Sequence, residues 1–419
     1  MATIPSIALI PSSVGGSVYS VLPSNGDGDF NFTRASAATR INAQGLIETV
    51  AANDNRLNYP LVGGVVDGCP HLLLELQRTN LINQSAVFSG YTSSNAVITD
   101  NSITSPDGTL TGAILADDNA GGTGVIQISE AVTVDVSSAY TWSIFAKKKD
   151  LNFIAFRLFG FTTPINDASF FDLNLGTVVS AGSGQVAEIE NYGNGWYRCS
   201  ITFTTDAADT NGTLQIRVSQ DGTSTASVNL DNTSNIYIWG WQFEKSNHAS
   251  SYIPTSGSTV TVLAETCDNS GNNQLINSTE GVVYCEIASL AETPETRSML
   301  GIGVSGSGDD RVTIEYNVGD TNLIRGQVRT SSLQASIGYV VTSTKDFHKV
   351  AFVYQLNNVQ LWIDGVKRNE DLSADVSSPN TISMAAFLNN NTNNFEGKCK
   401  GFRVYDTVLT DAELEALTT

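Results

Sequence analysis

The stretch Asn235-Ile-Tyr-Ile-Trp-Gly-Trp-Gln-Phe-Glu244, continued by Ser250-Ser-Tyr-Ile-Pro254, decides how the chain is read. A two-residue period puts Ile236, Ile238, Gly240 and Gln242 on one side of a strand and Tyr237, Trp239, Trp241 and Phe243 on the other. Both faces are then largely apolar. Such a strand is either held between two layers or carries an aromatic platform that something else must cover. Its position predicts the closing strand of a middle sandwich, with Trp239 buried and Trp241 nearer a strand end.

The composition around it agrees. Of 419 residues, 41% are hydrophobic and only 15% charged, while Gly, Ser, Thr and Asn are abundant. That is the make-up of short strands joined by tight turns, so almost no helix is expected. A chain of this length divides into two or three cores. The net charge of -20 repels phosphate backbones and anionic lipid heads, which argues against nucleic acid and membrane surfaces as partners. The basic run Lys147-Lys-Lys149 reads as a solvated strand end. Five cysteines, at 69, 199, 267, 285 and 399, form neither a zinc pattern nor a disulfide framework. The start, Met1 to Ile10, does not read as a signal peptide, and no apolar run is long enough to span a bilayer, so membrane insertion is not expected.

Along the chain, residues 1–80 read as an extended segment, with a hairpin over Thr39 to Val50 turning at Gly45. Arg34, Arg40, Arg56 and Arg78 lie near few acids other than Glu48 and Glu75, and are expected to form ordinary ion pairs. Residues 81–260 alternate at regular spacing: Val125 to Ile128, Tyr140 to Ala146, Phe153 to Phe159, Ser169 to Leu173, Val186 to Glu190, Tyr197 to Thr204, Thr213 to Ser219 and Ile236 to Phe243. Such punctuation predicts an antiparallel jelly roll. A Ser/Thr/Gly/Asn-rich linker is expected over 261–277. Residues 278–419 form another β unit, in which Val359-Gln-Leu-Trp-Ile-Asp-Gly-Val366 is a hairpin signal. Thr410-Asp-Ala-Glu413 is a capping box opening one short C-terminal helix. The fold class is therefore all-β, an extended N-terminal segment followed by two antiparallel β-sandwiches.

Three sets of residues carry resemblances. The run Gly28 to Glu48, with Arg34, Ser36, Thr39 and Gly45, then Asn55-Arg-Leu-Asn-Tyr59 and Cys69 to Leu81, resembles the N-terminal region of a family of tailed-bacteriophage virion proteins. Leu76 stands where that family has proline. Phe171 to Val178 and Asn194 to Cys199 resemble the carbohydrate-binding-like modules that follow in the same proteins. Gly401 to Leu417, with the Trp362-Ile-Asp-Gly365 hairpin, resembles the concanavalin-like, laminin-G-like sandwich. Together these imply a virion appendage, a tail or head fibre, made in the host bacterial cytoplasm and placed on the particle surface. They also imply homotrimers, contacts with other virion proteins through residues 1–80, and binding of host-surface glycans. A decoration or spacer without a ligand is the alternative, and a polysaccharide-degrading tail enzyme a third.

A glycosidase needs two carboxylates across one bond, and Glu286 and Glu315 stand isolated, so no enzyme is expected. His71, His248 and His348 are scattered with no adjacent Ser or Cys arrangement, so a nucleophilic triad is not expected. No cofactor is expected; Asp117-Asp118 and Asp309-Asp310 could offer oxygens to a structural calcium ion, without a dedicated loop. Sugars pack their C–H faces on exposed rings and take hydrogen bonds from polar neighbours. Trp241, Tyr91, Trp142 and Trp196 are the candidate glycan contacts, while Trp362 is expected in a core.

Overall fold

The computed structural model describes residues 3–14, 17–164, 166–292, 298–303, 310–316, 319–376, 384–387 and 395–419. It is almost entirely antiparallel β structure, closed by one helix at Asp411–Thr418. The capping box forms as expected: Thr410 Oγ1 accepts from the Glu413 amide, and Glu413 Oε2 accepts from the Thr410 amide.

The middle module is a sandwich of two six-stranded sheets. One runs Ala96–Ile103, Gly112–Asp117, Asn235–Glu244, Ala139–Lys148, Trp196–Thr204, Gln185–Asn191. The other runs Thr92–Ser94, Gln127–Thr133, Asn211–Ser219, Phe153–Phe159, Ala168–Asp172, Thr177–Ser180. The four central strands of each sheet, Gly112–Asp117, Asn235–Glu244, Ala139–Lys148, Trp196–Thr204 and Gln127–Thr133, Asn211–Ser219, Phe153–Phe159, Ala168–Asp172, stand in the order of a jelly roll. Between them lies a core that includes Leu115, Ile144, Phe156, Phe171, Ile201 and Ile216.

The strand Asn235–Glu244 sits inside the first sheet, but its simple alternation fails. Ser143 pairs with Gln242 and Phe145 with Trp239, so Gly240 and Trp241 together face the single residue Ile144. Gly240 has φ +68°, the left-handed conformation of a glycine β-bulge. The extra residue flips the parity. Ile236 and Ile238 before it, and Trp241 and Phe243 after it, all point into the core between the sheets. Tyr237 and Trp239 point out through the opposite face, followed by Gln242 and Glu244. The aromatic face predicted from a strict two-residue period is therefore two half-faces.

The outward half-face is covered by the chain's own N-terminal segment. Ala38–Ile41 and Ile47–Val50 pair as a hairpin whose turn contains Gly45 at φ +77°. Ile41, Ile47, Tyr59 and Leu61 pack on Phe145, Trp196, Trp239 and Tyr252. Beside them Asn80 braces the bulged strand: its amide donates to the carbonyls of Trp241 and Ile253, and its oxygen accepts from the amides of Phe243 and Ile82.

The C-terminal module is built on one long hydrogen-bonded path. From edge to edge it runs Ser332–Val340, Leu323–Thr330, Arg311–Tyr316, Ser298–Gly303, Met384–Phe387, Thr266–Ser270, Phe30–Thr33, Ser17–Leu22, Ile7–Val14, Gly397–Tyr405, Glu280–Ala288, His348–Gln355, Val359–Ile363, Val366–Asp371. The sheet curls until its edges meet, where Asn369 Nδ2 donates to the Gly338 carbonyl at 3.1 Å. Phe30, Leu72, Val283, Ile314, Phe352 and Phe402 are among the residues buried inside. The helix lays Leu414 on Tyr284 and Trp362, which is buried as expected.

Hydrogen bonding crosses both expected boundaries. Five strands from residues 1–80 lie within the C-terminal sheet rather than in a separate extended segment: Ile7–Val14, Ser17–Leu22 and Phe30–Thr33 on the path, and Arg56–Asn58 and His71–Leu74, which join it beside Gly397–Tyr405. The stretch expected as a linker supplies Thr266–Ser270, which pairs with Phe30–Thr33. The physical reason is a buried charge cluster. Glu265 Oε1 accepts from Arg34 Nη1 at 2.7 Å and from Arg56 Nε at 2.8 Å, and Glu265 Oε2 accepts from Arg56 Nη2 and from the Glu75 amide. Arg56 Nη1 reaches Glu75 Oε2 at 2.5 Å, and Glu75 Oε1 accepts from the Ser251 amide. All four side chains are nearly or wholly excluded from solvent. Two cations and two anions balance, and burial that would favour neutral Glu75 is outweighed by Arg56, holding its pKa at about 2.

Two substitutions test this framework. Gly240→Ala would place a Cβ 2.7 Å from the Phe145 ring at a positive φ, and is expected to cost about 1–3 kcal/mol in denaturant unfolding. Glu265→Ala would strand two buried guanidinium groups and is expected to cost about 3–5 kcal/mol. A loss below about 1 kcal/mol, the range of a surface pair, would mean that the cluster does not hold the segments together.

Candidate functional site

Of the four aromatic residues nominated from sequence, the three tryptophans are internal and Tyr91 is half-buried. Trp142 and Trp241 are 0% exposed between the jelly-roll sheets, with ring centroids 6.2 Å apart. Trp196 is buried under the N-terminal hairpin and donates its Nε1–H to the Thr104 carbonyl at 3.0 Å. Tyr91 is half-buried, its ring 4.7 Å from that of Trp241, and its hydroxyl donates to the Gln84 carbonyl. Burial is the main cause that pushes the Tyr91 hydroxyl pKa up. The three tryptophans are closed off from a sugar arriving from solvent, and this corrects their nomination as glycan contacts. The bulge at Gly240 is why Trp241 turns inward. Truncating a tryptophan in such a core costs about 3–5 kcal/mol, so a Trp241→Ala variant would report on folding rather than on ligand contact.

The other sequence candidates are also committed to structure. Asp117 Oδ1 accepts from the amides of Asn119 and Asn232, and Oδ2 from the Ser234 amide. Asp118 accepts from the Ala120 amide, and Asp310 from the Ser331 amide; Asp309 lies outside the described residues. Among the described residues no cluster of three or more His, Cys, Asp or Glu has the geometry to hold a metal ion. Glu315 is held by Arg325 at 2.6 Å, and Glu286 lies 3.9 Å from Lys400. His348 contacts Asp364 through Nδ1 at 2.6 Å, but its Nε2 meets the Ser343 carbonyl rather than the hydroxyl. That pairing supplies no activated nucleophile.

A different site emerges where the N-terminal segment, the jelly roll and the C-terminal module meet. A cavity of about 400 Å³ lies there, within the size range of small-molecule sites. The N-terminal segment contributes Ile41, Tyr59, Leu61 and His71. The jelly roll contributes Glu188, Glu190, Arg198 and Ser200 from two neighbouring strands, Tyr192 from the turn between them, and Tyr252 from the chain beyond the bulged strand. Glu188 and Glu190 share a face because side chains two apart on a strand do so. The C-terminal module contributes Lys345, Phe347 and Lys398. Lys345 Nζ donates to Glu188 Oε1 at 2.8 Å, an exposed pair joining the two modules.

The deeper groups differ from these exposed carboxylates. Arg198 is 3% exposed and spends its donors on the Ser250 carbonyl and the Ser143 hydroxyl, with Phe145 beneath its guanidinium. Tyr192 and Tyr59 are half-buried, and burial drives the Tyr192 hydroxyl to about 12. His71 lies 5.7 Å from the Phe347 ring, and its Nε2 is 3.2 Å from Asn58 Nδ2. The lining thus combines rings with hydrogen-bonding groups of both signs. Sequence patterning missed Tyr59, Tyr192, Arg198, Lys345 and Lys398, because they come together only through the packing of three segments.

Residues 286–415 match the family model of the concanavalin A-like lectin/glucanases superfamily. Comparison with curated protein sequences gives no match. Among solved structures, domain 4 of AbnA, a GH43 extracellular arabinanase from Geobacillus stearothermophilus in complex with arabinotriose, is 17% identical. The alignment covers 42% of this chain and 84% of that one at a TM-score of 0.31. The CBM40 of the Ruminococcus gnavus IT-sialidase is 15% identical over 34% of this chain and 84% of that one, at a TM-score of 0.28. Mouse laminin alpha1 chain domains LG4-5 are 11% identical over 77% of this chain and 92% of that one, at 0.22. At this level the structural likenesses bear on neither ligand nor activity.

His71 gives the site a measurable acid response. Burial, followed by the charges of Lys398 and Lys400, lowers its pKa from 6.5 to about 3. The unfolded chain therefore takes up a proton that the folded chain refuses, and stability falls as pH drops from about 6.5 towards 3. Glu75 adds its own loss only below its unfolded value of 4.5. His71→Gln is expected to flatten stability against pH between 6.5 and 4.5 in urea titrations; an unchanged slope would contradict the assignment.

Proposed function

We propose that the chain is a surface appendage of a tailed-bacteriophage particle that binds host-surface glycans in the cavity between its three parts. The observation that carries the glycan reading is the composition of that cavity. Tyr59, Tyr192 and Phe347 offer half-buried rings beside Arg198, Ser200 and Lys398, and carbohydrate recognition needs C–H stacking surfaces next to hydrogen-bonding groups. The match of residues 286–415 to a lectin and glucanase superfamily supports the same reading.

The virion assignment is supported by the resemblance over residues 28–48 and 69–81, and with it come synthesis in the host cytoplasm, a place on the particle surface and a homotrimer. The signature residues of that resemblance are turned inward, onto Glu265, Tyr252 and the bulged strand. Contacts with other virion proteins would therefore use different side chains of the segment, for which Ile10, Tyr19 and Val21 are exposed. A spacer without a ligand is the second reading, favoured by one observation: the three nominated tryptophans are all buried.

Binding to host cell envelopes and to a glycan array separates the two. Saturable binding is expected for the wild type, with at least a tenfold loss in Tyr59→Ala measured below that variant's own melting temperature, equivalent to about 1.4 kcal/mol. Silence across host material would leave the spacer. Labelled protein found on the intact particle would test the virion assignment directly.

A further inference from the structure

The jelly-roll sheet that supplies none of the cavity's lining gathers two cations at one point of its outward face. Ile154, Phe156, Ile216 and Val218 fill the core between the sheets, so their strand neighbours Ala155, Arg157, Gln215 and Arg217 point outward. The register sets Arg157 opposite Gln215 and Ala155 opposite Arg217. Gln215 Oε1 accepts from Arg157 Nη1 at 2.9 Å and from Arg217 Nη2 at 2.9 Å, so the two guanidinium groups meet on a single atom. Gln127, on the next strand, accepts from Arg217 Nε at 3.0 Å, and Thr225 Oγ1 accepts from Arg217 Nη1 at 3.1 Å.

Every acceptor in this group is neutral, and two like charges held on one of them repel. Among the described residues no carboxylate pairs with either arginine. Acids are not scarce: the chain has 42 against 22 basic residues, and Arg34, Arg40, Arg56, Arg78 and Arg325 each hold one. The unused donors are within reach of solvent. A guanidinium carries five N–H groups; Arg157 spends one of them inside the protein, and its Nε and Nη2 are not sealed off. Two guanidinium groups side by side suit the two oxygens of one carboxylate. The surroundings are polar: Gln127 and Ser129 stand in the same outward rows, and Phe159, 5.0 Å beneath the Arg157 guanidinium, is the one large apolar side chain exposed on the two strands that carry the arginines. That leaves no apolar centre of the kind a protein partner needs.

We propose that this outward face is a second ligand site, taking a glycan of hexuronate units, with one carboxylate bridging Arg157 and Arg217 and the sugar hydroxyls meeting Gln127 and Ser129. On a protein of net charge -20 an anionic ligand is repelled by the surface as a whole, so its capture requires a local pair of cations. Amides and hydroxyls beside that pair suit the many hydroxyls of a sugar. The site does not rest on the cavity, which is lined from the opposite sheet. Arg157 is the cleaner probe, because Arg217 also ties Gln127 and Thr225 to its strand.

The experiment is a calorimetric titration of the full chain with trigalacturonic acid, with its methyl ester, which keeps the sugar and removes the charge, and with triglutamate, which keeps the charge and removes the sugar. It is repeated on Arg157→Gln. Saturable binding of the acid, at least about tenfold tighter than the ester or the peptide and weakened at least about tenfold in Arg157→Gln, is the expected result. Equal binding of acid and ester overturns the role of the arginines, and triglutamate binding as tightly as the acid overturns the sugar requirement. Absence of binding, or binding that Arg157→Gln leaves intact, overturns the site. The cavity is judged separately, by host-envelope binding in Tyr59→Ala. Should Arg157→Gln fail to fold, arginine modification of the wild type by phenylglyoxal, read by mass spectrometry, replaces it. Trigalacturonic acid, but not its ester, is expected to slow modification of Arg157 at least about threefold by occupying it, and equal rates overturn the proposal.

Discussion

The Glu265 carboxylate, held between the guanidinium groups of Arg34 and Arg56, is the interaction on which the arrangement of this molecule depends. Its partners all precede the jelly roll in the sequence, while Glu265 itself follows it. A buried carboxylate is tolerable only when its lone pairs are filled and its charge is answered. Here two cations and the Glu75 amide do so, and Glu75 in turn binds Ser251 beside the jelly roll. The cluster therefore fixes three things at once: the N-terminal strands, the start of the strand Thr266–Ser270, and the loop leaving Asn235–Glu244. The cavity exists because these are fixed relative to one another.

The second constraint is steric. Without the bulge at Gly240, Trp239 and Trp241 would share a face, and the jelly roll would have either an unfilled core or an exposed aromatic surface. With it, Trp241 and Phe243 complete the intersheet core while Trp239 and Tyr237 meet the N-terminal hairpin. One residue in the left-handed region thus lets one strand serve two cores. The price is a position that tolerates no side chain, since Phe145 and Tyr252 close over it.

How much of this was readable beforehand follows from the range of the interactions. Phe153–Phe159 is legible to its ends, and the hairpin around Asp364-Gly365 to its turn, because alternation and turn chemistry are local properties. The Thr410 and Glu413 capping box was equally local. Gly112–Asp117 is absent from the expected strands of the middle module, since small residues dilute its alternation. The lone glycine inside an apolar strand was a visible sign of a bulge, and reading Gly240 so would have placed Trp241 correctly. Glu265 carried no such sign, because its partners lie 209 and 231 residues away. The cavity residues were hidden for the same reason: Tyr59, Tyr192 and Lys398 have unremarkable neighbours and meet only in the folded chain.

Native-state hydrogen exchange over the strand Phe30–Thr33 tests the central claim, that the N-terminal segment is an integral part of the C-terminal sheet. Its amides are expected to exchange with the same free energy as those of Thr266–Ser270 and Glu280–Ala288, through one common unfolding event. Exchange of Phe30–Thr33 at a far lower free energy, while the other two strands stay protected, would contradict it and would make the segment an appendage laid on a self-sufficient module.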